Sequence, residues 1–169
     1  MLIFSLYFSL DEPGRIVHVD ETVVTRRNYH RGRLIPQQWA LGMYDAETRI
    51  GYVVFVEDRR AETLIGHIQQ RVHPGTEIWT DEFASYRRLA TGGGVPQYVH
   101  RTVNHSQNFV DPHTGVCTNA VEAFWSRLKG FMRRLGVMSS PFKPEYRDQF
   151  MWLQHFGASQ RHVFNNLLG

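Results

Sequence analysis

Three acidic residues far apart in the chain, Asp20, Asp81 and Glu122, occupy positions from which carboxylates can act together. Asp20 lies in IVHVDETVV and Asp81 in EIWTDEF, each beside a second acid, Glu21 and Glu82. Glu122 heads one face of TNAVEAFWSRLKGFMRRL, residues 118–135, where Ser126, Lys129 and Arg133 follow at helical steps. Carboxylates gathered in one place repel one another unless cations neutralise them. Hard oxygen donors of this kind suit magnesium, with manganese as a substitute. Two such ions side by side activate an attacking oxygen and stabilise a departing one in an in-line displacement at phosphorus. Asp20, Asp81 and Glu122 are therefore the candidate metal ligands and catalytic residues, with two ions expected.

The elements that carry them decide which acid of each pair can serve. Successive strand side chains point to opposite faces, so one member of each pair addresses a given site. Asp20 shares its face with His18 and Thr22, whereas Glu21 shares with Val17, Val19 and Val23, which favours Asp20. In residues 118–135 the buried stripe is Val121, Phe124, Trp125, Leu128, Met132 and Leu135, and Glu122 lies off it. A simpler role for Glu122 is to complement the positive end of the helix, below Thr118 as its cap. The metal role requires the other two acids to converge on it.

Residues 16–24 read as a β-branched strand, and 39–45 and 50–58 as two more joined in a hairpin. A helix over 61–72 follows, with Leu64, Ile65, Ile68 and Val72 on one face. Then come a fourth strand over 77–83 running into a short helix around SYRRLA, a fifth over 97–103, the helix over 118–135, and a mostly helical segment over 145–168. This order gives an α/β fold: a mixed five-stranded sheet, a three-strand antiparallel meander and then alternating β/α units, flanked by helices. It is the order of the ribonuclease H-like fold. There the first and fourth strands are neighbours and a late helix packs across their ends, so Asp20, Asp81 and Glu122 are expected to meet. Residues 16–140 form the expected catalytic core and 141–169 a helical extension packed on it. Residues 1–15 read as a leader or the stub of a truncated upstream segment.

A chain of 169 residues is long enough for one domain with a real core. Hydrophobic residues at 42% and charged residues at 21% exclude a disordered or fibrous protein. The net charge of +3 matters less than its grouping. Arg26, Arg27, Arg31 and Arg33 form one acid-free run, Arg87 and Arg88 a second group, and Arg127, Lys129, Arg133 and Arg134 a third, as a phosphate backbone requires. Cys117 is the single cysteine, so no intrachain disulfide forms and a reducing compartment is expected. The apolar opening MLIFSLYFSL is too short to span a bilayer, and no membrane partner is expected.

These stretches together resemble the catalytic domain of a DDE transposase of the ISXO-like group and the related Merlin-type elements. The resemblance rests on VHVDET at 17–22, WALG at 39–42, DRRAETL at 58–64, PGTEIWTDEFASY at 74–86 and VNHSQNFVDPHTGVCTNAVEAFWSRLK at 103–129. It implies that Asp20 and Asp81 are the first two metal ligands, with Glu122 the third acid. Asn119, one turn earlier, is the alternative third ligand, since related enzymes carry asparagine there. Lys129, two turns beyond Glu122, is implied to contact DNA near the scissile phosphate. The activity implied is cleavage of element ends and strand transfer by the freed 3′-hydroxyl. Double-stranded DNA at element ends and target is the implied partner, bound by a homo-oligomer inside the cell: in the nucleus of a eukaryote, or the cytoplasm and nucleoid of a bacterium. Two rival readings keep the fold. One is a nuclease that only hydrolyses, the other a domesticated DNA-binding protein without catalysis.

His105, within the VNHS text, is a further candidate for the DNA or metal site. Zinc is disfavoured, because His100, His105, His113 and Cys117 fall at spacings of no common finger and supply one thiol. Ser106 has no nucleophile elbow around it, which argues against serine hydrolase chemistry.

Overall fold

The computed structural model describes residues 15–25, 28–30, 33–35, 37–91, 98–103, 115–141 and 143–167. Its centre is the expected mixed sheet. Strand β1 (Ile16–Thr25) pairs antiparallel with β4 (Gln38–Asp45), which pairs antiparallel with β5 (Ile50–Val56). On its other side β1 runs parallel to β6 (Glu77–Asp81), which runs parallel to β7 (Val99–Val103), giving the spatial order β5-β4-β1-β6-β7. The sequence predicts strands over 50–58, 77–83 and 97–103. All three are shorter in the structure, as expected where polar ends fray from a ladder.

The arginine-rich stretch contains an element that its polarity concealed. Strands β2 (Asn28–His30) and β3 (Arg33–Ile35) pair as a small separate hairpin, in which Tyr29 and Leu34 lie opposite one another. Short runs carrying Tyr, Leu and Ile favour extended backbone even when arginines flank them.

Helices cover both faces of the sheet. Helix α1 (Ala61–Gln69) buries Leu64, Ile65 and Ile68, and a 3-10 turn at Ala84–Tyr86 leads into α2 (Arg87–Thr91). Helix α3 (Asn119–Arg134) buries Val121, Phe124, Trp125, Leu128 and Met132, the stripe expected from sequence without its last member, since Leu135 is exposed. Helix α4 (Lys143–Leu167) packs on the edge strand β5, where the Met151 sulfur accepts the Val53 amide hydrogen at 3.3 Å. That contact shields one outward amide of an edge that would otherwise invite further strands.

Two glycines fit α3 to the sheet. A side-chain carbon added at Gly42 would lie 2.5 Å from the Trp125 ring, and one at Gly51 would lie 2.4 Å from the Phe124 ring. The aromatic pair of α3 thus fills a trough in β4 and β5 that only glycine leaves open.

Candidate active site

The parallel register of β1 and β6 runs from Ile16 opposite Glu77 to His18 opposite Trp79. Continued by two residues, it sets Asp20, midway along β1, beside Asp81, the last residue of β6. Both lie on the face where the His18 and Trp79 rings meet at 5.0 Å. Burial, the neighbouring Glu21 and the charge of Asp81 push the Asp20 carboxyl up to about 7, against the stabilising hydrogen bond from Trp125. Asp81 accepts the Phe83 amide at 3.0 Å, which orients its carboxylate. Among the described residues neither aspartate forms an ion pair. Two adjoining carboxylates, one of them desolvated, fit a hard divalent cation as donors. His18 is buried in the same layer and held neutral, its pKa lowered to about 4 by that burial.

Helix α3 tracks β1 in the same direction and supplies the groups beside Asp20. The Trp125 indole nitrogen donates to Asp20 Oδ2 at 2.9 Å, Lys129 Nζ donates to Thr22 Oγ1 at 2.6 Å, and Thr25 Oγ1 donates to the Met138 carbonyl at 2.8 Å. Asp20 lies directly across the ladder from Gly42, over which the Trp125 ring is seated. The WALG glycine and the helix tryptophan therefore hold the aspartate as a unit. The sequence predicts Trp125 as helix core. It is core, and its one polar atom also serves the site. Gly42→Ala is expected to displace the indole and cost about 1–3 kcal/mol by overpacking. Urea unfolding followed by tryptophan fluorescence checks this, and an unchanged midpoint and emission maximum would mean the ring is not seated there.

Glu122 stands in the first turn of α3, exposed, and accepts a hydrogen bond from Thr118 Oγ1 at 3.2 Å. Thr118 is the N-cap residue, as expected, and its carbonyl accepts the Val121 and Glu122 amides at 3.1 Å. Thr118 is buried and makes no side-chain bond to the helix backbone, because its hydroxyl is turned to the glutamate instead. Asn119, the first residue of the helix, is exposed. Among the described residues no three His, Cys, Asp or Glu side chains stand close enough to hold a metal ion. The structure thus brings Asp20 and Asp81 together and leaves Glu122 and Asn119 on the helix start. Lys129 is half-buried and its carbonyl accepts from Arg133 Nε at 3.1 Å, so both project from one ridge. Arg26, Arg27, Arg31 and His105 lie outside the described residues, as does the side chain of Arg33.

Sequence reading missed the role of Glu21. On the opposite face of β1 from Asp20, its carboxylate accepts hydrogen bonds from the Arg59 guanidinium and, at 2.5 Å, from the Tyr86 hydroxyl. Arg59 is stacked between Trp39 and Phe83, 4.4 and 4.1 Å from their ring centres. An acid in a valine-rich face is the one signal in the sequence that it needed a buried partner.

Matches to known proteins show the family and the fold. Residues 13–153 match the family model described as ISXO2-like transposase domain. An "uncharacterized transposase-like protein" of Haemophilus influenzae is 27% identical over 101 residues, 60% of this chain and 77% of that one. Among solved structures, a chain of the simian T-cell lymphotropic virus intasome in complex with PP2A regulatory subunit B56 gamma superposes with a TM-score of 0.56 at 14% identity. The match covers 83% of this chain and 48% of that one, so this chain spans about half its length. The HTLV-2 integrase catalytic core domain in complex with magnesium gives 0.53 in its trimeric form at 12% identity, covering 86% of each chain. Its dimeric form gives 0.54 at 12% identity, covering 83% of this chain and 86% of that one. These likenesses show the fold, a ribonuclease H-like sheet with its helices, and the family match over most of the sequence shows the lineage: the chain belongs to the ISXO2-like transposase domain family.

Proposed function

We propose that this domain catalyses divalent-metal-dependent phosphoryl transfer on DNA. Water first breaks a phosphodiester at an element end, releasing a 3′-hydroxyl. That hydroxyl then attacks a target phosphodiester, forming one P–O bond as the target's own 3′ oxygen departs. The observation that carries the reading is the pair Asp20 and Asp81 on adjoining parallel strands, one desolvated and neither ion-paired among the described residues. Magnesium or manganese bound there, as two ions, would supply the Lewis acid for both attacking and leaving oxygens.

The residues of the chain divide the remaining work. Asp20 and Asp81 bind the ions, and Trp125 fixes the Asp20 carboxylate. Glu122 supplies the third carboxylate, with Asn119 as the alternative donor. Lys129 and Arg133 hold phosphates along the exposed ridge of α3, and Arg26, Arg27, Arg31, Arg33 and His105 extend the contact. Double-stranded DNA is the partner, and a homo-oligomer synapses two ends inside the cell. Among the described residues no helix is long and apolar enough to cross a membrane.

The test supplies a duplex with a ready-made 3′-hydroxyl end, a target plasmid and manganese. Joined product is the expected result. Cut product without joining would reduce the activity to hydrolysis, and salt-sensitive binding without nicking would leave a DNA-binding protein.

A further inference from the structure

Beside the Lys129 ridge of α3, between α4 and the turn joining β4 to β5, lies a groove of about 520 Å³. Arg49, Arg127 and Arg134 line it, and the half-buried Phe131 ring gives it an aromatic floor, while Tyr44 is buried beneath Arg127. No acid is among its described lining residues, and none of the three arginines forms an ion pair among the described residues. Arg127 lies over the Tyr44 ring, 5.4 Å from its centre, and covers it. The Nε2 of Gln154, which also lines the groove, is buried without a hydrogen-bond partner among the described residues.

Arg49 is the one non-glycine residue with a left-handed backbone among those described, at φ 61°. A long β-carbon side chain is strained there, where glycine or asparagine is the ordinary choice. The turn thus carries an arginine at a backbone position that favours glycine.

We propose that this groove receives an unpaired nucleotide of a DNA strand, the base on the aromatic floor and the adjoining phosphates on the three arginines. The pairing of an aromatic ring with cations and no acid selects a ligand that is flat and anionic. Duplex bases are stacked inside the helix and cannot reach the floor, so the ligand is a base freed at a strand end or a distorted target. The inference rests on the DNA reading of the domain and adds a separate nucleotide site to the phosphate contacts proposed there.

The experiment measures fluorescence anisotropy of a labelled single-stranded oligodeoxynucleotide in EDTA, so that no catalysis intervenes. The double variant Arg127→Glu with Arg134→Glu is expected to weaken binding at least tenfold. It should also reduce the slope of log K against log salt by about 1.4, the value for two lost phosphate contacts on a single strand. Arg49→Gly relieves the left-handed strain, so its Tm is expected to rise while its affinity falls severalfold. That pairing excludes misfolding as the cause of weakened binding. Polyphosphate, charged but without bases, is expected to compete poorly. Unchanged oligonucleotide affinity in the double variant, equal competition by polyphosphate, or preference for an acidic aromatic peptide overturns the proposal. Failure of the parent protein to bind any DNA would instead remove the reading on which it rests.

Discussion

Asp20→Asn and Asp81→Asn are each expected to lower manganese-dependent cleavage and joining by roughly a thousandfold, or about 4 kcal/mol of transition-state stabilisation. The amide keeps the shape of the carboxylate but not its charge, and a neutral oxygen holds a divalent cation far less strongly. At position 20 the asparagine oxygen can still accept the Trp125 indole hydrogen that now reaches Asp20 at 2.9 Å. It also removes a desolvated charge that Glu21 and Asp81 both repel. The Asp20→Asn protein is therefore expected to be at least as stable as its parent while nearly inactive, a combination that a merely structural residue does not produce. Activity within tenfold of the parent would end the assignment, and so would a large loss of stability. Companion variants Glu122→Gln and Asn119→Ala tell which residue of the helix start supplies the third donor.

Sequence alone carried the fold far because its signals were periodic. The alternation of IVHVDETVV and the helical stripe of residues 121–132 each fix a face, and the element order leaves few topologies once β1 and β6 are adjoining. The same alternation singled out Asp20 over Glu21 and was right about the faces, since the two carboxylates lie on opposite sides of β1. Contacts that join distant segments were not legible. Nothing local in WALG says that Gly42 makes room for a tryptophan 83 residues later, or that this ring's nitrogen reaches the residue opposite the glycine. Likewise Arg59 sits in a run of charged residues, DRRAE, that reads as solvated surface until the structure shows one arginine turned inward. Steric fit and long-range pairing belong to the packed molecule, whereas periodicity belongs to the chain.

Arg59→Ala is expected to be the most destabilising single substitution at a partly exposed position, costing about 3–5 kcal/mol. The Glu21 side chain is only 1% exposed, whereas that of Arg59 is 33% exposed, so the charge at risk is the carboxylate's. Removing the arginine strands that carboxylate in the core with the Tyr86 hydroxyl as its remaining side-chain donor. The tyrosine cannot replace the lost cation: its hydroxyl, its pKa raised by burial and the neighbouring acids, stays neutral and only donates a hydrogen bond. The same change also empties the space between Trp39 and Phe83. Converting both partners to apolar residues of similar length, Glu21→Met with Arg59→Met, removes the stranded charge and is expected to recover most of the loss. Urea midpoints for the two single variants and the double variant decide the matter. Recovery in the double variant identifies a buried ion pair that fixes the back of β1, and hence the strand carrying Asp20. Additive losses would mean instead that each side chain matters only for its packing.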